Sequence, residues 1–107
     1  MPNAELAIIA EAKLREYLLN SSNPQNRGEA RLFRGLGYAD ENWKELESAI
    51  RTLISENDAR EIDPNAQGRR WQVVGEIRGA QGRATILTGW IILFGEDVPR
   101  FVTAYRA

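Results

Sequence analysis

The chain has 107 residues, 43% of them hydrophobic and 27% charged, and carries a net charge of −1 at neutral pH. This composition is typical of one globular domain, and the near-zero charge argues against a protein that coats nucleic acid nonspecifically. The chain contains no cysteine and no histidine, which excludes disulfides, thiolate nucleophiles and the usual zinc sites. The side chain most often used for acid–base catalysis near neutral pH is therefore missing.

Localisation and cofactors are constrained by what the sequence lacks. No stretch is apolar for long enough to cross a membrane, and the first residues lack the features of a secretory signal. We therefore expect a cytoplasmic protein that binds no membrane. The glycines do not match a nucleotide-binding loop and the usual metal ligands are absent, so we expect neither a cofactor nor a metal site.

The first half of the chain is predicted to be helical, with about three helices. Ile8 and Ile9 fit either a short strand or the lead-in to the first helix. In residues 10–20 the apolar side chains are spaced as on one helix face. A turn around Pro24 precedes a short helix over residues 27–37. Asp40 is a good N-cap for the longest helix, whose apolar stripe is Trp43, Leu46, Ile50, Leu53 and Ile54.

The second half of the chain has strand-like segments at residues 59–62, 70–78, 83–93 and 99–106. Their connections are short, which favours antiparallel neighbours. The apolar run at residues 90–93 predicts a central strand covered on both faces. We therefore predict an α+β fold in which the N-terminal helices pack on one face of a four-stranded antiparallel sheet. It forms a single domain over residues 1–107, helical to about residue 57 and sheet from about residue 58.

Arginine residues suggest an anion site in the second helix. All but two of the 14 basic residues are arginine, whose planar fork suits phosphate and carboxylate groups. Arg27, Arg31 and Arg34 have the spacing of one helix stripe, with Glu29 offset from them. This pattern fits a phosphate-binding stripe near a helix N-terminus, and it equally fits the solvated face of an amphipathic helix.

The last strand, "RFVTAYRA", places two hydroxyl groups on one side. Simple alternation directs Val102 and Ala104 to the core and sends Phe101, Thr103 and Tyr105 to the open face. A threonine hydroxyl can bind a phosphate oxygen, and a tyrosine can donate to phosphate or stack on a base. If this strand is functional, Arg27 or Arg31 should reach the same cleft. Otherwise the strand simply closes the sheet.

Several short motifs in a fixed order resemble a small bacterial domain family of unknown function. They are "KLREYLLN", "NPQNRGEARLFRGLGY", "NWKEL", "WII", "GEDVPR" and "VTAY", and they run through nearly the whole chain. Members of this family are often encoded beside a second small protein, so the resemblance implies a small co-encoded partner. Lys13, Tyr17, Arg27, Arg31, Thr103 and Tyr105 match the family pattern, whereas Asn23, Glu29 and Asn26 replace its histidine, lysine and glycine.

The order of helices followed by a sheet ending in T-A-Y is also similar to the barnase, EndoU, colicin D and RelE group of ribonuclease toxins. This fold-level resemblance implies that the substrate is RNA and that residues of the leading helix and of the last strand act together in catalysis.

Two functions follow as hypotheses. The first is a toxin-like, metal-independent ribonuclease, with Glu29, Arg31, Thr103 and Tyr105 as catalytic residues. In it Glu29 is the base, and Lys13, Arg27 and Arg34 join Arg31 in holding the substrate. The second is a catalytically degenerate family member that binds the small co-encoded protein, because the histidine and lysine are missing and Glu29 offsets its arginine neighbours.

Overall fold

The described residues of the helical part form one π-helix and two α-helices. The computed structural model describes residues 1–22 and 27–107 without the Arg27 side chain; the predicted turn around Pro24, with Asn23 and Asn26, lies outside this part. In chain order the elements are a 3-10 turn at Ala4–Leu6, the π-helix Lys13–Leu18, α1 at Arg27–Gly35, a second 3-10 turn at Asp40–Asn42, and α2 at Trp43–Glu56.

The segment predicted as the first α-helix is wound more widely, as a π-helix. The amide of Leu19 donates to the carbonyl of Leu14, five residues earlier, at 2.9 Å. This winding brings Leu19 toward the side of the helix that carries Leu14. Leu14, Leu18 and Leu19 are all fully buried, so core packing explains the departure from α-helical geometry.

The apolar stripe of α2 faces the core as predicted, but Asp40 as its N-cap is wrong. Asp40 begins the 3-10 turn, and α2 starts three residues later. The side-chain oxygen of Asn42 accepts from the amide of Ala39 at 2.6 Å, and its nitrogen donates to the carbonyl of Gly37 at 3.0 Å. Asn42 therefore closes the turn before α2. The buried residues of the helix are Leu46, Ile50, Leu53 and Ile54.

Four antiparallel strands form one sheet in the order β1-β2-β3-β4. They are β1 at Ala59–Ile62, β2 at Gly68–Gly79, β3 at Gly82–Leu93 and β4 at Arg100–Arg106. Consecutive strands are neighbours, which confirms the predicted α+β fold with helices N-terminal to an antiparallel sheet.

One face of the sheet packs against the helices and the other is open. Trp71, Val73, Ile86 and Trp90 are among the strand residues buried in the common core. The apolar run in β3 is covered by the helices on one face of the sheet and by arginine side chains on the other. Ile91 points to the open face yet is only 8% exposed, because its cross-strand neighbours are Arg70 and Arg100, whose long stems can cover apolar surface.

A β-bulge in β4 overturns the simple alternation predicted for that strand. Trp90 pairs with Phe101 and Gly89 pairs with Thr103, which leaves Val102 as the extra residue. Phe101 is therefore buried, with its ring 5.3 Å from that of Trp90 in an edge-on arrangement, whereas Val102 is exposed. Ala104 is buried as predicted.

The outer edge of β4 is paired with another segment at its start. Ile8 forms an isolated parallel bridge with Arg100, donating to the carbonyl of Pro99 at 2.8 Å and accepting from the amide of Phe101 at 2.9 Å. Of the two alternatives left open for this segment, Ile8 is thus strand-like. Farther along β4, the π-helix and α1 lie against the strand. This arrangement places α1 beside the end of the chain.

Candidate functional site: a cleft between α1 and β4

A cleft of about 590 Å³ separates α1 from the end of β4. Its charged lining residues are Glu29, Arg31 and Arg106, and its apolar lining residues are Leu32, Leu36 and Tyr105. Gly28 and Gly35 complete it on the side of α1. The structure therefore brings three predicted catalytic residues, Glu29, Arg31 and Tyr105, to one place from two distant parts of the sequence.

The helical periodicity of α1 and the bulge in β4 together determine which side chains face the cleft. Gly28, Arg31, Leu32 and Gly35 follow the i, i+3, i+4, i+7 spacing of one helix side, and that side faces β4. After the bulge, Tyr105 lies opposite Leu87 on the open face, at the strand edge nearest α1. Tyr105 is 38% exposed, so its ring is available to a ligand.

Thr103 belongs to a neighbouring group. It is not among the residues that line the cleft, and its hydroxyl lies 3.2 Å from that of Tyr17 on the π-helix. The ammonium of Lys13 sits 5.5 Å from the centre of the Tyr17 ring, an arrangement that is favourable electrostatically. Lys13, Tyr17 and Thr103 thus form a second polar group two residues along β4 from Tyr105.

The predicted arginine stripe is divided by the fold. Arg31 faces the cleft, whereas the Nε of Arg34 donates to the carbonyl of Leu19 at 2.7 Å and ties α1 to the end of the π-helix. Arg27 is the first residue of α1, and its side chain lies outside the described part of the structure.

Several arginines outside the cleft are paired with carboxylates. Arg69, Arg78 and Arg100 each donate to a carboxylate, at 2.9, 2.7 and 3.0 Å. These hydrogen bonds lower the pKa of the three partners Glu61, Glu76 and Glu96 below its usual value. Arg31 and Arg106, by contrast, form no ion pair with a residue in the described part of the chain.

The family model of the Domain of unknown function (DUF6883) matches residues 1–107. The chain belongs to this family. No curated protein sequence matches it. Among solved structures, a chain of the "Contact-dependent growth inhibition toxin - immunity protein complex from Klebsiella pneumoniae 342" has a similar fold. The TM-score is 0.68 and the sequence identity 18%, over 94% of this chain and 99% of that one.

Within residues 1–22 and 27–107 of the DUF6883 domain, no group of three or more carboxylates is placed to hold a metal ion. No helix there is both long and apolar enough to span a bilayer.

Sequence reasoning missed several residues that line the cleft of the DUF6883 domain. Arg106 follows Tyr105 directly, and its position at the end of the last strand was the available signal. Leu32 on α1 and Leu36 just after the helix are four residues apart, a spacing that looks like an ordinary core stripe. Leu36 is indeed nearly buried, so only the fold shows that its remaining surface faces the cleft.

Proposed function

We propose that this domain is a toxin-like, metal-independent ribonuclease of a bacterial toxin–antitoxin or related conflict system. The observation that carries this proposal is the cleft in which Glu29, Arg31, Tyr105 and Arg106 converge. A carboxylate, two arginines and a phenol are the kinds of groups that metal-free phosphodiester cleavage requires. The fold shared with a chain of a toxin–immunity complex supports a place in such a system and a small protein partner.

The reaction would be an intramolecular phosphoryl transfer. The Glu29 carboxylate takes the proton of a ribose 2′-hydroxyl, and the 2′-oxygen forms a bond to the adjacent phosphorus. The bond from phosphorus to the 5′-oxygen breaks, and the Tyr105 phenol donates its proton to that leaving oxygen. The products are a 2′,3′-cyclic phosphate and a 5′-hydroxyl. Arg31 and Arg106 hold the non-bridging oxygens as negative charge builds up on them.

A second phosphate contact would lie along β4. Thr103 and Tyr105 are two residues apart, and the rise of a strand separates such residues by about 7 Å. Two neighbouring phosphates of one RNA strand could therefore contact both side chains. Thr103 with Tyr17 would offer hydroxyl groups to the second phosphate, and Lys13 would supply charge. Arg34 uses one N–H group to hold the Leu19 carbonyl and would add long-range charge. Arg27, one helical turn before Arg31, remains a predicted phosphate ligand.

The test is to induce the chain in a bacterium and to follow growth and RNA integrity. The purified protein is then incubated with labelled RNA in EDTA, and the products are examined for a 2′,3′-cyclic phosphate. Arg31→Ala and Tyr105→Phe should each lower the cleavage rate at least tenfold, because each removes a group that acts in the transition state.

Arg83→Ala is the matched control, because Arg83 is an exposed arginine at the β2–β3 hairpin, outside the cleft. It should cleave as the wild type does. The ribonuclease proposal would be contradicted if the wild-type chain left bacterial growth and RNA intact.

A second candidate function, a catalytically degenerate protein-binding module, is favoured by a separate observation. Val74, Leu87 and Tyr105 lie side by side across three strands on the open face. Val74 and Tyr105 are 44% and 38% exposed, and Val102 is exposed on the adjoining bulge. Aliphatic side chains in such a row suit a protein surface better than they suit nucleic acid.

This candidate is tested with the protein encoded beside the chain. Leu87→Glu should abolish a one-to-one complex, since it places a charge in the middle of the row, while Thr85→Glu on the same strand should not. A toxin also binds its neutralising partner, so complex formation supports the degenerate module only if the purified wild-type chain cleaves no RNA. No complex with the wild type would contradict it.

A further inference from the structure

Two glycines in α1 have no structural reason to be glycine. Helices disfavour glycine relative to alanine. In the described part of the structure, no heavy atom lies within 4 Å of a Cβ built on Gly28 or Gly35, apart from their chain neighbours and the local helix backbone, and neither has a left-handed backbone. The left-handed residue after α1 is Gly37, with φ of 104°. Within residues 1–22 and 27–107, neither packing nor backbone conformation therefore requires glycine at position 28 or 35.

The feature common to Gly28 and Gly35 is their position beside the cleft. They lie two helical turns apart, on the side of α1 that faces β4, and both line the cleft. Side chains at these positions would project into its open space. The glycines therefore keep the cleft wide.

The cleft they widen is amphipathic. Leu32 and Tyr105 offer apolar and aromatic surface, while Arg31 and Arg106 offer positive charge. Its volume of about 590 Å³ falls in the range of about 300–1,000 Å³ that is usual for small-molecule sites. A flat apolar ring that carries a phosphate matches both kinds of surface.

We infer that the cleft binds a whole nucleotide, with the base between Tyr105 and Leu32 and the phosphate on Arg31 and Arg106. Gly28 and Gly35 make room for the base. This inference rests on the proposed ribonuclease function and adds a base-binding subsite to it, with stacking on Tyr105 as the main contact.

The test measures equilibrium binding of adenosine 3′-monophosphate and of inorganic phosphate to the full chain by NMR titration. Gly35→Leu and Gly28→Leu should each weaken nucleotide binding at least tenfold and change phosphate binding less than twofold, because the added side chain occupies the space of the base. Gly35→Ala and Gly28→Ala should raise the melting temperature by about 4 °C, since alanine is the better helix residue. Ser48→Leu on the exposed side of α2 is the control and should bind as the wild type does.

The outcomes separate this inference from the proposed catalysis. If the wild type binds the nucleotide and the leucine variants do not, the subsite is supported even if no RNA is cleaved. RNA cleavage together with wild-type nucleotide binding in stable leucine variants overturns the subsite and leaves the catalysis standing. Binding of phosphotyrosine as tight as that of the nucleotide, or no nucleotide binding by the wild type at 10 mM (roughly the weak limit of specific binding), also overturns it.

Discussion

Thr88 is a buried polar residue that links the centre of the sheet to the core. Its hydroxyl donates to the carbonyl of Val73 at 2.9 Å and accepts from the indole nitrogen of Trp90 at 2.8 Å. Trp90 is only 1% exposed and packs edge-on against Phe101. A single hydroxyl therefore satisfies the Trp90 N–H group and holds the indole in its place.

Replacing Thr88 with valine should destabilise the domain by about 2 kcal/mol, although the two side chains have the same shape. The valine leaves the buried indole N–H without its acceptor, which costs about 1–3 kcal/mol. Urea unfolding measures the change. Thr85→Val, at an exposed position of the same strand, should alter stability by less than about 0.5 kcal/mol. A Thr88→Val protein as stable as the wild type would contradict this role for the hydroxyl.

At the scale of a single element, the bulge in β4 decides which side chains the last strand buries. Without Val102, the pairing of Trp90 with Phe101 would continue directly into that of Gly89 with Thr103. The bulge thus lets Phe101 and Ala104 both face the core, and it bends the strand just before the residues that approach the cleft.

Deleting Val102 should therefore be tolerated by the fold but should disturb the cleft. The remaining ladder keeps its register, so we expect a cooperative melting transition within about 8 °C of the wild type, equivalent to a change of about 1 kcal/mol. The proposed RNA cleavage should fall at least tenfold because the strand loses its bend.

Deletion of Val74 from β2 is the comparison. It shifts every following residue of that strand to the opposite face, and the protein should fail to fold. Loss of folding in both deletions would show that the bulge is needed for the sheet itself.

At the scale of the whole molecule, charge contributes to stability mainly through exposed pairs. The carboxylates of Glu61, Glu76 and Glu96 each accept from an arginine, and this lowers their pKa. A carboxylate whose pKa is lower in the folded state stabilises the fold above its unfolded pKa of about 4.3. The contribution is lost as the pH falls through the folded value.

Stability should accordingly decrease as the pH is lowered from about 5 to 3, and the decrease should be smaller in 1 M salt, which screens exposed pairs. Urea unfolding at pH 7, 4 and 3 tests this. The triple variant Glu61→Gln, Glu76→Gln, Glu96→Gln should lose part of the pH dependence. An identical acid profile in the triple variant would assign the decrease to other carboxylates.

Much of the architecture was predictable because it depends on local periodicity. The stripe of α2 from Leu46 to Ile54 and the two-residue alternation in β2 and β3 are each visible in a short window of sequence. Short connections such as Ala80–Gln81 leave antiparallel pairing as the remaining solution. The residue types of the candidate site were also predictable, because arginine and tyrosine side chains can both contact phosphate, but their proximity was not.

The sequence by itself determined the element order, the α+β class, the absence of cysteine and histidine chemistry, and the surplus of arginine. Only the tertiary structure decided the π-winding that buries Leu19, the bulge that turns Phe101 inward, and the pairing of Thr103 with Tyr17. It also decided that Arg31 shares a cleft with Tyr105 and Arg106 while Arg34 holds the π-helix. The physical reason is that these outcomes depend on packing between segments far apart in the chain, and periodicity within one segment carries no information about what packs against it.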